Sequence, residues 1–239
     1  MKRAIKLGIM AAAAAMAGCS EARSQNGGPV TDRDYQVGEF NRIELGGAYD
    51  MTVHTGPEVS VHARGGQNVL DKLEVEVKGD TLVVRPKKEG WSWGRHSNGK
   101  VELTVTLPAL RAASLAGAGG IRIDQVSGDS FEGSISGAGD LRIEKVDVGS
   151  LKFDVAGAGS IYASGKSRTA DYGITGAGDV VAKGLTSETA SISITGAGGV
   201  TANATKTANV SIVGAGDVNL AGGAKCSVSK VGSGDVNCS

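Results

Sequence analysis

The residues with the most obvious chemical potential are aspartates that recur in the second half of the chain. Asp140, Asp179, Asp217 and Asp235 each lie three residues after the first glycine of a repeated Gly-x-Gly motif. Carboxylates at such a regular spacing could ligate calcium or supply an acid and a base for catalysis. However, Ser160 and a glycine interrupt the series, and calcium-binding Gly-Gly-x-Gly-x-Asp repeats have about half this period. We therefore expect these aspartates to hydrogen-bond the backbone of their own turns.

Histidine and charge patterns give little support for an enzyme or a nucleic-acid binder. His54, His62 and His96 have no Cys, Asp or Ser partner at a motif spacing, so we expect no catalytic, metal-binding or cofactor-binding residue. An enzyme that acts on polysaccharides is the less favoured alternative. Basic and acidic side chains balance at 25 each, whereas nucleic-acid binding requires a clustered basic surface.

Cys19 lies in the context of a lipidation site. A basic start and a short apolar stretch form a typical export signal, and Met16-Ala17-Gly18-Cys19 resembles the lipobox of bacterial lipoproteins. That resemblance implies that residues 1–18 are removed as a signal peptide and that acylated Cys19 anchors the chain to a membrane. Ser20, by the sorting pattern of Gram-negative lipoproteins, favours the outer membrane. The alternative is an ordinary secretory signal with an incidental cysteine.

The other two cysteines are placed to pair with each other. Cys226 and Cys238 lie six residues before and six residues after Gly232, the first glycine of the last motif. Both positions belong to the inward-facing set of the repeat, and an exported chain reaches a compartment that permits disulfides. We expect a Cys226–Cys238 bridge that closes the exposed end of the fold. The alternative is two buried free thiols.

A polar segment between two apolar stretches holds both tryptophans of the chain, Trp91 and Trp93. Two residues apart, they face the same way if the segment is extended. Their basic neighbours include Lys87, Lys88 and Arg95. Aromatic rings beside cations could stack on sugars or bind an anionic polymer, which makes these five residues the candidate ligand contact. The alternative is a hairpin loop whose tryptophans fold back to cover the domain.

The elements that position these residues follow from the glycine motifs. Seven of them, from Gly117 to Gly232, recur at steps of 18–20 residues, a period that indicates a solenoid. Apolar and polar residues alternate on both sides of each motif, which predicts a strand, a corner and a strand. Parallel connections favour right-handed winding. We therefore predict an all-β fold, a right-handed parallel β-helix of about seven rungs.

The rest of the chain is predicted to surround this regular part. Residues 34–108 alternate less regularly and are expected to form an irregular N-terminal β cap, with antiparallel strands as one option, on the regular repeats of 109–239. Residues 34–239 would then be a single domain. Residues 19–33 contain almost no apolar side chains, and we expect them to form a lipidated flexible tether.

Several segments together resemble a known family. They are Phe40-Asn41-Arg42-Ile43, Gly79-Asp80-Thr81-Leu82 and the step Val105-Thr106-Leu107-Pro108-Ala109-Leu110 that leads into the glycine corners. They are similar to the head GIN domain of putative auto-transporter adhesins, and the resemblance covers about residues 40–239. It implies a β-helix of the bacterial cell envelope and carries over no catalytic or metal-binding residue.

These observations lead to one expected function and one alternative. We expect a non-enzymatic, exported lipoprotein of the outer membrane, facing the periplasm or the cell surface, that binds a glycan or an envelope protein as an adhesin. The alternative is a structural or envelope-stress-sensing periplasmic lipoprotein.

Overall fold

The computed structural model describes residues 27–87 and 100–239. These residues are almost entirely β-strand and form a β-solenoid of about six turns. The predicted count of about seven rungs differs slightly from this number. Right-handed winding stays a prediction.

The N-terminal elements are short, and the later strands are mostly long. The first group consists of β1 (Val30–Tyr35), β2 (Arg42–Gly47), β3 (Asp50–Thr55), β4 (Ser60–Gly66), α1 (Gln67–Leu70), β5 (Leu73–Lys78), β6 (Thr81–Pro86) and β7 (Val101–Leu107). The second group consists of β8 (Ala112–Gly117), β9 (Gly120–Gly137), β10 (Asp140–Gly157), β11 (Ser160–Gly176), β12 (Asp179–Gly196), β13 (Gly199–Gly214), β14 (Asp217–Ala221), β15 (Lys225–Gly232) and β16 (Val236–Cys238).

Strands β9 to β13 each run from one glycine corner to the next, so that each forms a complete turn. Strand β10, for example, pairs in parallel with β9 and with β11 over most of its length. Because equivalent residues lie directly above one another, apolar side chains form continuous inward columns. In one such column every side chain is at most 2 % exposed: Leu115, Ile135, Val155, Ile174, Ile194 and Ile212.

The glycine corners stack backbone against backbone. Gly137 has a φ of 139°, a conformation that side chains disfavour, and a Cβ there would collide with the carbonyl oxygen of Gly117 in the preceding turn. That same oxygen accepts a hydrogen bond of 2.9 Å from the amide of Ala138. The corner therefore needs glycine for its backbone angle and for the close approach of the previous turn.

The N-terminal part stacks in an order that differs from its order along the chain. Strands β2 and β3 flank a corner at Gly47 and pair in parallel with β8 and β9, so they form a turn of the solenoid. On their other side, β2 pairs with β6 and β3 pairs with β7, also in parallel. Strand β5 then pairs antiparallel with β6, and β4 with β7. Antiparallel strands therefore cap this end of the stack.

Strand β1 corrects the predicted boundary of the flexible tether. It pairs antiparallel with β4, from Val30 opposite Gly66 to Tyr35 opposite Val61, so residues 30–33 belong to the folded domain. Its sequence lacks an apolar stripe because it lies at the edge of the sheet, where backbone pairing and ion pairs hold it. Arg33, for example, donates a hydrogen bond of 2.6 Å to Asp71.

The C-terminal end carries the predicted disulfide and an inward-column lysine. Cys226 and Cys238 are bonded, with their Cα atoms 6.6 Å apart, which ties β15 to β16. In the last turn, Lys230 pairs with Ile212 and so takes the place of an aliphatic side chain in the inward column. Its ammonium donates to the carbonyl oxygen of Gly234.

Replacing a single corner glycine should weaken the whole stack. We expect Gly137→Ala to lower the free energy of unfolding by at least about 1–3 kcal/mol, the cost of a strained backbone conformation, with the collision against Gly117 adding to it. The measurement is the midpoint of urea-induced unfolding followed by circular dichroism.

Gly38→Ala is the matched control, because a Cβ at Gly38 meets no atom within 4 Å. Its midpoint should stay within error of the native value. If both variants unfold at the native midpoint, the corner does not require glycine.

Candidate functional site: a charged notch beside a corner loop

The tryptophan-bearing segment replaces a glycine corner. In the turn formed by β6 and β7, Val84 lies opposite Leu45 and Glu102 lies opposite Asp50. The neighbouring turn joins the equivalent positions through its corner at Gly47, whereas here residues 87–100 connect them. We call residues 87–100 the corner loop. Its two described ends, Lys87 and Lys100, lie at the corner edge of the solenoid, near the N-terminal end of the stack.

Four of the five predicted contact residues, Lys88, Trp91, Trp93 and Arg95, lie outside the described residues. The fifth, Lys87, is described, and its ammonium donates a hydrogen bond of 2.6 Å to the carbonyl oxygen of Asp71. Its amide also donates to the carbonyl oxygen of Lys72 at 2.7 Å. Lys87 thus fastens the start of the corner loop to the turn between α1 and β5.

The corner loop returns to the sheet at Lys100. The Lys100 ammonium lies 2.9 Å from the Glu102 carboxylate and 3.9 Å from that of Asp50. These carboxylates raise the pKa of Lys100, chiefly through the hydrogen bond to Glu102, and Lys100 in turn lowers the pKa of Glu102. Both side chains are well exposed, so the pair contributes little to stability. It does place the end of the loop beside Asp50.

Asp50 lines a shallow groove on the broad outer face of the sheet. This face runs through eleven strands in the order β1, β4, β7, β3, β9, β10, β11, β12, β13, β14 and β16. Near its N-terminal end lies a groove of about 350 Å³. We call it the charged notch and define it by its outward-facing residues: Asp50, Thr52, Gly120, Arg122, Asp140 and Arg142.

The charged notch combines two carboxylates with two guanidinium groups. Arg122 pairs with Glu144 at 3.2 Å. The guanidinium carbon of Arg142 lies 4.2 Å from the centroid of the Tyr162 ring, which places the cation over the ring face. Sequence reasoning missed this cluster. The available signal was that Arg122, Arg142 and Tyr162 all occupy the fifth position after the first glycine in three successive repeats.

The aspartate column has a different role from the predicted one. The Asp179 carboxylate accepts a hydrogen bond of 2.9 Å from the amide of Gly199, and the Asp217 carboxylate accepts one of 2.8 Å from the amide of Asp235. The prediction of bonds within the same turn was wrong for these two residues, since each bonds the following turn. Within 27–87 and 100–239, no group of three or more His, Cys, Asp and Glu side chains could hold a metal ion.

A second outer face carries mainly hydroxyl groups. Two grooves of about 300 and about 460 Å³ lie on it and share Lys152 and Asp171. Most of the other outward side chains along them are small and hydroxylic: Ser134, Ser136, Ser150, Thr169, Thr175, Thr189, Ser191, Ser193, Thr195 and Thr207. Lys152 is paired with Asp154 at 2.7 Å, so its charge is locally matched.

With this geometry, the chain can be compared with known proteins. Residues 39–224 match the family described as putative auto-transporter adhesin, head GIN domain. The chain belongs to this family. No curated protein matches its sequence.

Solved structures share the fold of this head GIN domain. A putative adhesin from Bacteroides fragilis is 25 % identical, with a TM-score of 0.81 over 88 % of this chain and 97 % of that one. A putative adhesin from Parabacteroides distasonis is 22 % identical, with a TM-score of 0.72 over 89 % and 98 % of the two chains. A putative lipid binding protein from the same species is 20 % identical, with a TM-score of 0.71 over 89 % and 97 %.

The family name implies a location at the cell envelope or outside the cell. Among the residues that the structure describes, no helix has the length and apolar character needed to cross a membrane.

At the edge of the outer face that holds the charged notch, the docking of β1 should depend on pH. The Asp34 carboxylate, 2.8 Å from His62 Nδ1, is the main cause of a raised His62 pKa, and Asp32 adds to it. A histidine with a raised folded-state pKa stabilises the fold fully below its ordinary value of 6.5. That contribution is lost as the pH rises through the folded-state pKa. We expect the β1 amides to lose hydrogen-exchange protection, corrected for intrinsic rates, as the pH rises above about 6.5.

His62→Gln should remove most of this pH dependence while β11 amides keep the same protection in both proteins. Equal pH dependence in the native and His62→Gln proteins would show that the histidine does not hold β1.

Proposed function

We propose that this head GIN domain is a lipid-anchored, non-enzymatic protein of the outer membrane that binds a polymer or protein surface. The observation that carries the proposal is the long outer face of the sheet, with a charged notch beside Lys100, where the corner loop ends. The sequence of that loop contains two tryptophans. A broad face with shallow grooves suits an extended partner that makes many small contacts.

The neighbours and the sequence support the same proposal. Two of the solved structures with this fold are named putative adhesins. The lipobox-like Met16-Ala17-Gly18-Cys19 supports export and a lipid anchor. A binding role is favoured over catalysis because most outward side chains along the grooves of the second outer face are Ser and Thr, which do not titrate near neutral pH and suit contact better than acid–base work.

Cell fractionation with protease treatment of intact cells tests the location. We expect the native protein in the outer-membrane fraction, because the acyl chains of Cys19 anchor it. If it binds partners at the cell surface, protease added to intact cells should cleave it. Cys19→Ala should release the protein into the soluble periplasmic fraction. The measurement is immunoblotting of each fraction before and after protease treatment.

Ser20→Asp is the matched control, since the sorting pattern predicts that it moves the protein to the inner membrane without removing the lipid. A native protein that is membrane-bound but protected from protease would contradict surface binding and favour a structural or stress-sensing role in the periplasm. Soluble native protein would contradict the lipid anchor.

Binding to isolated envelope fractions tests the role of the corner loop. We expect the Trp91→Ala, Trp93→Ala double variant to lose at least about tenfold in affinity, because aromatic rings contribute large contact areas at interfaces. The measurement is sedimentation of purified protein with envelope fragments over a range of concentrations.

Ser92→Ala, which lies between the two tryptophans in the sequence, serves as the control and should bind like the native protein. If the double variant binds as well as the native protein, the tryptophans are not part of the binding surface.

A further inference from the structure

The charged notch contains an arginine whose guanidinium is held over an aromatic ring. Arg142 is half-buried, and its guanidinium carbon lies 4.2 Å from the centroid of the Tyr162 ring. Within residues 27–87 and 100–239, no ion pair joins Arg142 to a carboxylate, whereas Arg122 beside it has Glu144. Stacking uses the face of a guanidinium and leaves its in-plane N–H groups free for a planar, bidentate acceptor. The guanidinium of Arg142 can therefore donate hydrogen bonds to a bound anion.

The pairing of the two arginines points the same way. Arg122 and Arg142 lie directly opposite each other on β9 and β10, where like charges destabilise a sheet. Local arrangements that weaken a fold are typical of functional sites. A bound anion between the two guanidinium groups would convert the repulsion into attraction.

The carboxylates of the charged notch restrict what that anion can be. Asp50 and Asp140 lie on either side of Gly120 in adjacent strands. At the usual strand spacing their Cα atoms are about 9–10 Å apart. Gly120 has no side chain, and the Asp50 carboxylate leans over it, since a Cβ at Gly120 would lie 3.3 Å from Asp50 Oδ1. A simple anion would be repelled by two aspartates, but a ligand with one acidic group and several hydroxyls can satisfy both. The hydroxyls donate to the aspartates while the acidic group accepts from the arginines.

The geometry points to an acidic polysaccharide as the ligand of the charged notch, with a sugar carboxylate on Arg142 and Arg122 and sugar hydroxyls on Asp50 and Asp140. This assignment rests on the proposed function as a polymer-binding surface and names the chemical class of the polymer. The chain offers room for more than one sugar, since the outer face continues past the charged notch on both sides. Lys100, at the end of the corner loop, lies beside the same groove, where it contacts Asp50 and Glu102.

Titration calorimetry with oligogalacturonate, a soluble polymer of sugar acids, tests the assignment. We expect the native protein to bind oligogalacturonate but not a neutral malto-oligosaccharide of the same length, with affinity that falls as salt is added. Arg142→Ala should weaken binding by at least about tenfold, as for the loss of hydrogen bonds to a charged group. Arg142→Lys should weaken it less, because the charge remains while the bidentate geometry is lost.

Arg168→Ala is the matched control: it removes the same charge at an exposed position of β11 that is not part of the charged notch, and should leave binding unchanged. Each variant must keep the native urea midpoint. Envelope sedimentation is measured in parallel, so that the two proposals can fail separately. If the native protein binds envelope fragments but not oligogalacturonate, or if Arg142→Ala binds oligogalacturonate like the native protein, the acidic-polysaccharide assignment is wrong and the proposed function stands.

Two further outcomes are also decisive. If protease treatment of the envelope fragments abolishes sedimentation and oligogalacturonate does not compete, the partner is a protein and the assignment is wrong. If the native protein binds neither the fragments nor oligogalacturonate, both the assignment and the proposed function are wrong.

Discussion

The close approach of one glycine corner to the next sets the geometry of the whole domain. The carbonyl oxygen of Gly117 accepts from Ala138 and occupies the space that a Cβ at Gly137 would need. Since this contact recurs from turn to turn, equivalent residues on both sides of each corner lie directly opposite one another, and the register shifts between β10, β11 and β12 fall away from the corners. Continuous apolar columns inside and flat polar faces outside then follow from the alternation of side chains. A turn stacked out of step would lose the corner contact and the apolar column together.

Much of the solenoid could be predicted from sequence because its information is local and repeated. The corners, the inward columns and the pairing of Cys226 with Cys238 all follow from positions counted relative to a glycine. Even an exception has a local explanation: Gly133 interrupts an apolar column because a Cβ there would lie 2.9 Å from the ring of Phe153 in the next turn.

The N-terminal part was harder to predict. Its β6–β7 turn stacks outside the earlier β2–β3 turn, and β1 is held by partners distant in sequence, so neither leaves a periodic signal.

The candidate site shows the same limit of prediction. Trp91 and Trp93 attract attention because aromatics are rare in this chain. The charged notch does not, since its members come from β3, β9 and β10 and only the stacking brings them together. Once the turns are in register, Asp50, Arg122 and Arg142 share one groove, and Lys100 joins that groove to the corner loop. The described end of the corner loop, Lys100, therefore lies beside the charged notch near the N-terminal end of the stack.

The lysine of the last turn has a consequence for how the molecules behave when crowded. An open parallel solenoid edge is a template on which another chain can add strands, and inward-pointing charges are one way in which proteins prevent this. Lys230 occupies the position that aliphatic side chains hold in the turns before it. Any chain that extended the stack would have to enclose its ammonium group, at a large desolvation cost. The lysine thus opposes the addition of further strands at this end, so that many copies can lie close together without assembling into fibres.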